Sequence, residues 1–598
     1  MKKYCMRKLM IFGLLLCALI EATGCAETGR NKQANPGTPP GELNQNALGG
    51  EGAAAAAYSR DLSKIDFSGV PFTPWDTAKA AKGLKERGAK PYTVLVYMNG
   101  SDLESEYGAA TNDLVEMLKS GLKPEAANLI IFTGGTNRWR NNVVSASDCT
   151  LWEIAGGAIG KIADVGLRSM GDAGTLASFI DFGVKYCPAE KYGLIMWDHG
   201  GGSIAGYGHD EKFADGTLSL LKLNYAFEKS AIKQKPFEFI GFDACLMASV
   251  EMAVVAAPYA KYFIASEELE PGDGWNYGFL AALNGSPALD GAALGKVIVD
   301  TFMDFYGADY DGELSLSVVN LSNAGGVMAA AGALTAKCSD NLAVEKRASF
   351  NTLSRKRNNT KTFGEGSPRD NECDMVDAGD MAEKLKDVFP SEAGAVSAAL
   401  NRCVVYNRHN SDINLCGLSA YYIYGGRKTA DKSLSTYAAL QVENNHAAYL
   451  RDFSGYLTAF PLSVTRFAGA DETREARING VGARAYKISR GKGYELFAVP
   501  VSYNGRDADV IISVCGKYPQ GGILGIRKQE GFIVQKGYDK IGEGDKISFY
   551  CMESERQITN YKLQITNEDG EVKWRKSDEI TVKGGLAFDW AQTAELCA

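Results

Sequence analysis

Between Tyr92 and about Asn320 the chain alternates short, continuous apolar runs with stretches of helical periodicity. The runs Tyr92 to Met98, Asn128 to Phe132, Gly193 to Trp197, Phe237 to Phe242, Tyr262 to Ala265 and Leu314 to Val319 are mainly apolar and read as continuous rather than alternating, with Thr93, Asn128, Glu238, Ser315 and Ser317 as their polar members. Such strands belong to a mainly parallel sheet covered by helices on both faces, so an α/β fold is expected here. Between the first two runs Leu114, Met117 and Leu118 share a helical face, and Gly121 supplies a stop. From about Leu462 the pattern changes to strand-like segments, at Tyr494 to Tyr503, Val510 to Cys515, Lys546 to Cys551, Tyr561 to Thr566 and, after the turn Glu568-Asp569-Gly570, Val572 to Trp574. These predict a separate β-rich domain, a small sandwich or barrel, whose first expected role is to stabilise its neighbour.

The other end has no such pattern. Lys2, Lys3, Arg7 and Lys8 precede an apolar run from Leu9 to Ile20, too short to span a bilayer, which reads as a signal segment. It ends in Ala22-Thr23-Gly24-Cys25, which resembles a bacterial lipobox and makes Cys25 the expected lipidation site. Residues from Ala26 to about Tyr58 are rich in Gly, Pro, Asn and Ala and hold too little apolar surface to order themselves, so they predict a flexible tether. The expected organisation is therefore a signal peptide over 1–25, a tether and lead-in over 26–85, a catalytic domain over 86–455 and the β-rich domain over 460–598. The mature chain is expected outside the cytoplasm, touching membrane through its lipid alone.

Charge and cysteines narrow the classes further. The 598 residues carry a net charge of −8 with 23% charged residues and no Lys/Arg blocks, which leaves no electrostatic case for nucleic acid. Of 13 cysteines, Cys5, Cys17 and Cys25 fall in the signal segment, and the remaining ten form no CxxC pair or regular spacing. Neither a disulfide framework nor a zinc ribbon is indicated. The set His199, His209 and Asp210 matches no common ligand pattern, and Asp309, Asp311 and Glu313 do not have the spacing of an EF-hand, so no metal site is assigned.

Candidate chemistry lies at two strand ends. Trp197-Asp198-His199-Gly200-Gly201-Gly202 follows the run that ends at Trp197, and Phe242-Asp243-Ala244-Cys245-Leu246-Met247 follows the run that ends at Phe242. In open α/β sheets chemistry collects at the carboxyl ends of the strands, so a thiol and its base meet at one sheet edge. Cys245 is read as opening a helix over Leu246 to Ala257, whose dipole would favour the thiolate. His199 would activate the thiol or protonate the leaving amine, and the amides of Gly200 and Cys245 form a candidate oxyanion hole. Spacing alone shows no third member. Taken singly, the cysteine could be a small buried hydrophobe and the histidine a turn residue.

The segments Val96-Tyr97-Met98-Asn99-Gly100-Ser101-Asp102-Leu103-Glu104, Trp197 to Gly202, Asp243-Ala244-Cys245-Leu246-Met247, Ala265-Ser266-Glu267-Glu268 through Pro271-Gly272-Asp273-Gly274-Trp275, and Gly417-Leu418-Ser419-Ala420-Tyr421-Tyr422 resemble the clostripain family of cysteine peptidases. The resemblance covers roughly residues 90–455. It implies a caspase-like α/β/α sandwich and an endopeptidase with a Cys-His dyad, His199 and Cys245. It also implies cleavage after arginine, less readily lysine, of protein or peptide substrates, with Asp243 and Asp273 as acidic pocket residues. Maturation by internal cleavage between histidine and cysteine is implied too, expected after Lys212 with Lys222 second. No cofactor is implied for the chemistry, calcium is possible by the same resemblance, and a monomer is expected. Two other readings stay open: a non-catalytic surface lipoprotein with a peptidase-like fold, and a transpeptidase using the same dyad.

Overall fold

The computed structural model describes residues 41–48 and 60–459, interrupted at 286–287, 308–309, 311, 346–348, 351, 354–355, 358–359, 365–373, 412, 424–426 and 443, and beyond 459 the backbone of separate strands. The signal segment, Cys25 and most of the tether lie outside the described residues. The chain divides into two compact units, one built mainly from residues 31–337 and 360–451 and the other from 338–359 and 452–598.

The first unit contains β1 (Lys90–Asn99), β2 (Ala127–Gly134), β3 (Thr150–Ala155), β4 (Ala158–Asp164), β5 (Ala189–Trp197), β6 (Phe237–Asp243), β7 (Ala260–Ala265), β8 (Ser315–Asn320), β9 (Thr362–Phe363), β10 (Met375–Asp377), β11 (Val404–His409) and β12 (Ser419–Tyr421). Nine of these form one sheet in the order β11-β8-β7-β6-β5-β1-β2-β3-β4. The central five, β2, β1, β5, β6 and β7, are parallel. Antiparallel strands flank them on both sides. All six sequence-predicted strands of this region are present. The β3–β4 hairpin and β11 are additional.

Continuous burial explains why the apolar runs do not alternate. Every residue of β2 and β6 is buried. On β1, Val94, Val96 and Met98 join a cluster with Leu114 and Met117 of the helix Ala109–Lys119 and with Leu294 and Ile298 of the helix Gly291–Tyr306. The alternate β1 residues face the other layer, where Tyr97 packs on Phe179 of the helix Ala173–Tyr186. The result is an α/β/α sandwich with a mainly parallel sheet. The first helix ends as its sequence suggests, with Gly121 at φ 76° just beyond Ser120.

A three-stranded sheet, β12-β10-β9, lies apart from the large one. β12 is tied to the segment after β6, because Ser419 N donates to Ala248 O at 2.8 Å.

The second unit carries an antiparallel sheet of Tyr518–Lys528, Arg506–Cys515, Tyr494–Tyr503, Val481–Gly491, Thr473–Ile478 and Phe588–Trp590 in that order, with Leu462–Val464 also paired to Tyr494–Tyr503. Lys562–Thr566 and Val572–Lys576 pair as a hairpin, and the predicted turn between them lies outside the described residues. Residues 338–359, which the sequence reading placed in the catalytic domain, group with this unit.

Candidate active site

Three adjacent strands deliver the chemistry. β1 pairs with β5 and β5 with β6, so that Met98 aligns with Trp197, and Trp197 with Asp243. The segments that follow these three strand ends carry Asp102, His199 and Cys245. His199 Nε2 and Asp102 Oδ1 are 2.9 Å apart, with both side chains partly open to solvent. Burial pushes the Asp102 carboxyl up, but the hydrogen bond and charge of His199 outweigh it and hold the carboxyl below its ordinary value. An ionised carboxylate on one ring nitrogen fixes the orientation of the imidazole and supports its protonated form. Asp102 is thus the acidic partner of His199 that spacing alone did not reveal. Its sequence signals are its place just after the strand beside β5 and its membership of the segment Val96 to Glu104 that carries the clostripain resemblance, neither of which pairs it with His199.

The His199 loop is locked from below. Asp198, buried behind it, accepts from Asn99 Nδ2, a side chain at the end of β1, and from His209 N at 2.6 Å. Burial raises its pKa to about 7, against the lowering influence of His199. Gly200 then passes directly against the cysteine segment, where a Cβ would lie 1.9 Å from Cys245 O. This is the physical reason for glycine after the histidine, since no side chain fits between the two loops.

Cys245 lies in a turn rather than at a helix start. The helix begins at Val250, capped by the Ser249 side chain accepting from Met252 N, and spans Val250–Ala256. The expected helix over Leu246 to Ala257 is therefore too long by its first four residues, and the dipole assigned to the thiol does not reach it. Leu246, next to the thiol, instead has φ 64°, a left-handed conformation costly for a branched residue and held by full burial. Its amide donates to Glu268 O at 3.1 Å. Glu270 N donates to Cys245 Sγ at 3.2 Å. Burial, followed by the charge of Glu270, pushes the Cys245 thiol up to about 12. A thiol raised in this way is held in its protonated form.

Beside it lies a nest of acids. Asp243 Oδ1 accepts from Trp275 N at 2.9 Å and Oδ2 from Tyr277 Oη at 2.9 Å. Gly274, at φ 55°, makes room, since a Cβ there would lie 2.6 Å from Asp243 Oδ1. Burial raises Asp243 to about 7. Burial and the Asp243 charge push Glu270 well above the ordinary range, and Asp113, which accepts from Trp197 Nε1 at 2.6 Å, responds in the same way. Asp273 is exposed on the same loop. Glu270 and Asp113 were not singled out in the sequence, where nothing distinguishes them from surface acids. Asp243, Glu270 and Asp113 thus have raised pKa values because burial and their mutual repulsion disfavour the charged form.

The loop between β5 and β6 holds the expected cleavage position. Lys212 is half-buried, its amide donating to Asp210 Oδ1 at 2.8 Å and its ammonium to Ala146 O. Lys222 is different: it sits in the first turn of the helix Leu220–Glu228, 8% exposed, with Nζ bonded to Asp215, Gly171 O and Thr217 O. Cleavage after Lys222, the second expected position, would require opening the first turn of that helix.

Asp309 and Asp311 lie outside the described residues, and Glu313 is paired with Lys361. Among the described residues one group of potential metal ligands comes together, Glu267, Asp377 and Cys416. Cys149, Cys187, Cys245, Cys338, Cys403 and Cys416 are free thiols. No described helix is long and apolar enough to cross a membrane.

The sheet, the paired loops and the thiol define a cysteine peptidase, and the sequence pattern of the clostripain family matches residues 96–458. The chain belongs to the clostripain family. Among solved structures it is similar to a secreted C11 cysteine protease from Bacteroides thetaiotaomicron, "iotapain", at 20% identity and TM-score 0.46, covering 59% of this chain and 100% of that one. An inactive zymogen C11 protease from Parabacteroides distasonis is similar at 20% identity and TM-score 0.45, covering 60% of this chain and 99% of that one. No curated protein matches the chain.

Proposed function

We propose that this protein is an extracytoplasmic endopeptidase that cleaves after arginine, and less readily after lysine, with Cys245 as nucleophile and His199 as its base. The observation that carries the reading is the set of buried carboxyls, Asp243 and Glu270 foremost, immediately beside the cysteine turn. A guanidinium entering there meets acids that burial keeps partly protonated, and its charge favours their ionised, bidentate form. Asp243 is the inner pocket acid and exposed Asp273 the outer one.

The proposed reaction starts with proton transfer from Cys245 Sγ to His199, whose ring Asp102 orients. The thiolate attacks the scissile carbonyl, the amides of Gly200 and Cys245 hold the oxyanion, and His199 returns the proton to the leaving amine. Water then hydrolyses the thioester. Because the resting thiol is raised to about 12, activation is proposed to need a rearrangement of the Cys245 turn, supplied by cleavage after Lys212. Lipidation at Cys25 would hold the enzyme at a membrane. Calcium enters no step, and no described residue is assigned to it.

The test is cleavage of a fluorogenic peptide library by mature protein, with Cys245→Ala as control and with calcium or chelator present. Cleavage after Arg or Lys that vanishes in the variant supports both nucleophile and pocket. Cysteine-dependent cleavage after other residues would remove the pocket assignment, ligated products would indicate a transpeptidase, and inactivity of processed protein would favour a binding protein.

A further inference from the structure

Behind the cysteine turn lies a second cluster that the proposed reaction does not use. Glu267, two residues past β7, is 1% exposed. Its Oε2 accepts from Gly417 N at 3.0 Å, whereas its Oε1 is buried with no hydrogen-bond partner. Asp377, the last residue of β10, is fully buried and accepts from Asp380 N and Cys416 N, each at 2.6 Å. Cys416 Sγ lies 3.3 Å from Gly379 N and 3.1 Å from Leu418 O. One ligand atom from each of Glu267, Asp377 and Cys416 falls within 4.8 Å of the others.

Two buried carboxyls and a thiol so close together can all ionise only if a positive charge balances them. No Lys or Arg forms an ion pair with Glu267 or Asp377 among the described residues, and the donors named above are all backbone amides. Such amides leave further lone pairs free and fix the direction of each ligand, as the outer shell of a metal site does. No protein donor reaches Oε1, and the side-chain contact left to the Glu267 carboxyl is the neighbouring Asp377 carboxyl, an acid against an acid.

We propose that Glu267, Asp377 and Cys416 bind one thiophilic divalent cation of the zinc class. A thiolate with two carboxylates suits zinc, whose S and O ligands lie at about 2.3 and 2.0–2.2 Å, whereas calcium and magnesium select oxygen alone. Binding displaces the Cys416 thiol proton and the proton held by the carboxyl pair into solvent. The site is structural. It joins the segment after β7, the start of the helix Ala378–Leu385 and the turn before β12. The first of these backs the nucleophile, since Glu268 O accepts from Leu246 N and Ser266 O from Ala248 N. The ion thereby braces the wall against which Cys245 rests, and the inference does not depend on cleavage after arginine.

The test uses the full chain carrying Cys245→Ala, so that the nucleophile takes no metal and the chain does not process itself. Protein purified without chelator is analysed for bound metal, and the stripped protein is titrated with zinc while its thermal midpoint is followed. The expected result is one zinc per chain, a midpoint that rises with zinc, and a sulfur-to-metal charge-transfer band when cobalt replaces zinc. All three should disappear in added Cys416→Ser or Glu267→Gln, with the metal-free midpoint showing that each variant folds. A folded parent that takes up no zinc overturns the proposal in favour of a proton shared by Glu267 and Asp377. Retention of stoichiometric zinc or of the cobalt band by Cys416→Ser also overturns it.

Discussion

Asp102 and Gly200 are single residues whose replacement tests different parts of the site. Asp102→Asn keeps the shape of the side chain but removes the charge that holds His199. We expect kcat to fall on the order of tenfold to a hundredfold with KM little changed, less than the ~10²–10⁴ that a general base supplies. Steady-state kinetics across pH check this, and a variant with unchanged kcat at every pH would remove Asp102 from the mechanism. Gly200→Ala is a steric test. Its new methyl must displace Cys245 O from 1.9 Å, so the two catalytic loops separate. Overpacking of this kind costs about 1–3 kcal/mol. We expect a lower thermal midpoint together with lost peptide cleavage, whereas a fully active Ala variant would show that the loops move freely.

At the scale of elements, the β5–β6 connection separates two lysines that look alike in sequence. Lys212→Ala should leave the chain intact on prolonged incubation, while Lys222→Ala should still be processed but melt lower, because it removes a buried ammonium with three partners. Intact mass and thermal melts read both outcomes, and a Lys212→Ala chain cut at its usual rate would move the cleavage elsewhere. Legibility also varied by element. β1, β2, β5, β6, β7 and β8 were readable because burial on both faces makes an apolar run continuous. β4 was not, since it is largely solvent-facing and carries Lys161 and Asp164, which give no strand signal. The helix after Cys245 was misplaced because Leu246 to Ala248 are apolar and buried without being helical. Ser249, a good N-cap, was the signal that marked the true start. Asp102 was hidden because its partner is 97 residues away, a relation set by strand order that only the folded sheet displays.

For the whole molecule, the buried acids give stability a pH dependence. Asp243 has a folded pKa raised from 3.8 to about 7, so the folded state binds its proton more tightly than the unfolded chain does. Its contribution is therefore fully present below about 3.8 and declines as pH rises through about 7. Asp243→Asn should flatten this decline, giving a thermal midpoint that falls less between pH 6 and 8 than the parent's, while cleavage after arginine is lost. Parallel melts across pH check it; identical slopes would place the titration elsewhere. The position of the Lys212 loop has a separate consequence for assembly. A cut there leaves β5 in one piece and β6 in the other, although the two are parallel neighbours in the middle of one sheet. The pieces would stay together through that ladder without a covalent link. Once unfolded, they would have to find each other again, so recovery would become second order in protein and fail on dilution. An enzyme matured in this way is assembled once, from a single chain, and has no unimolecular route back.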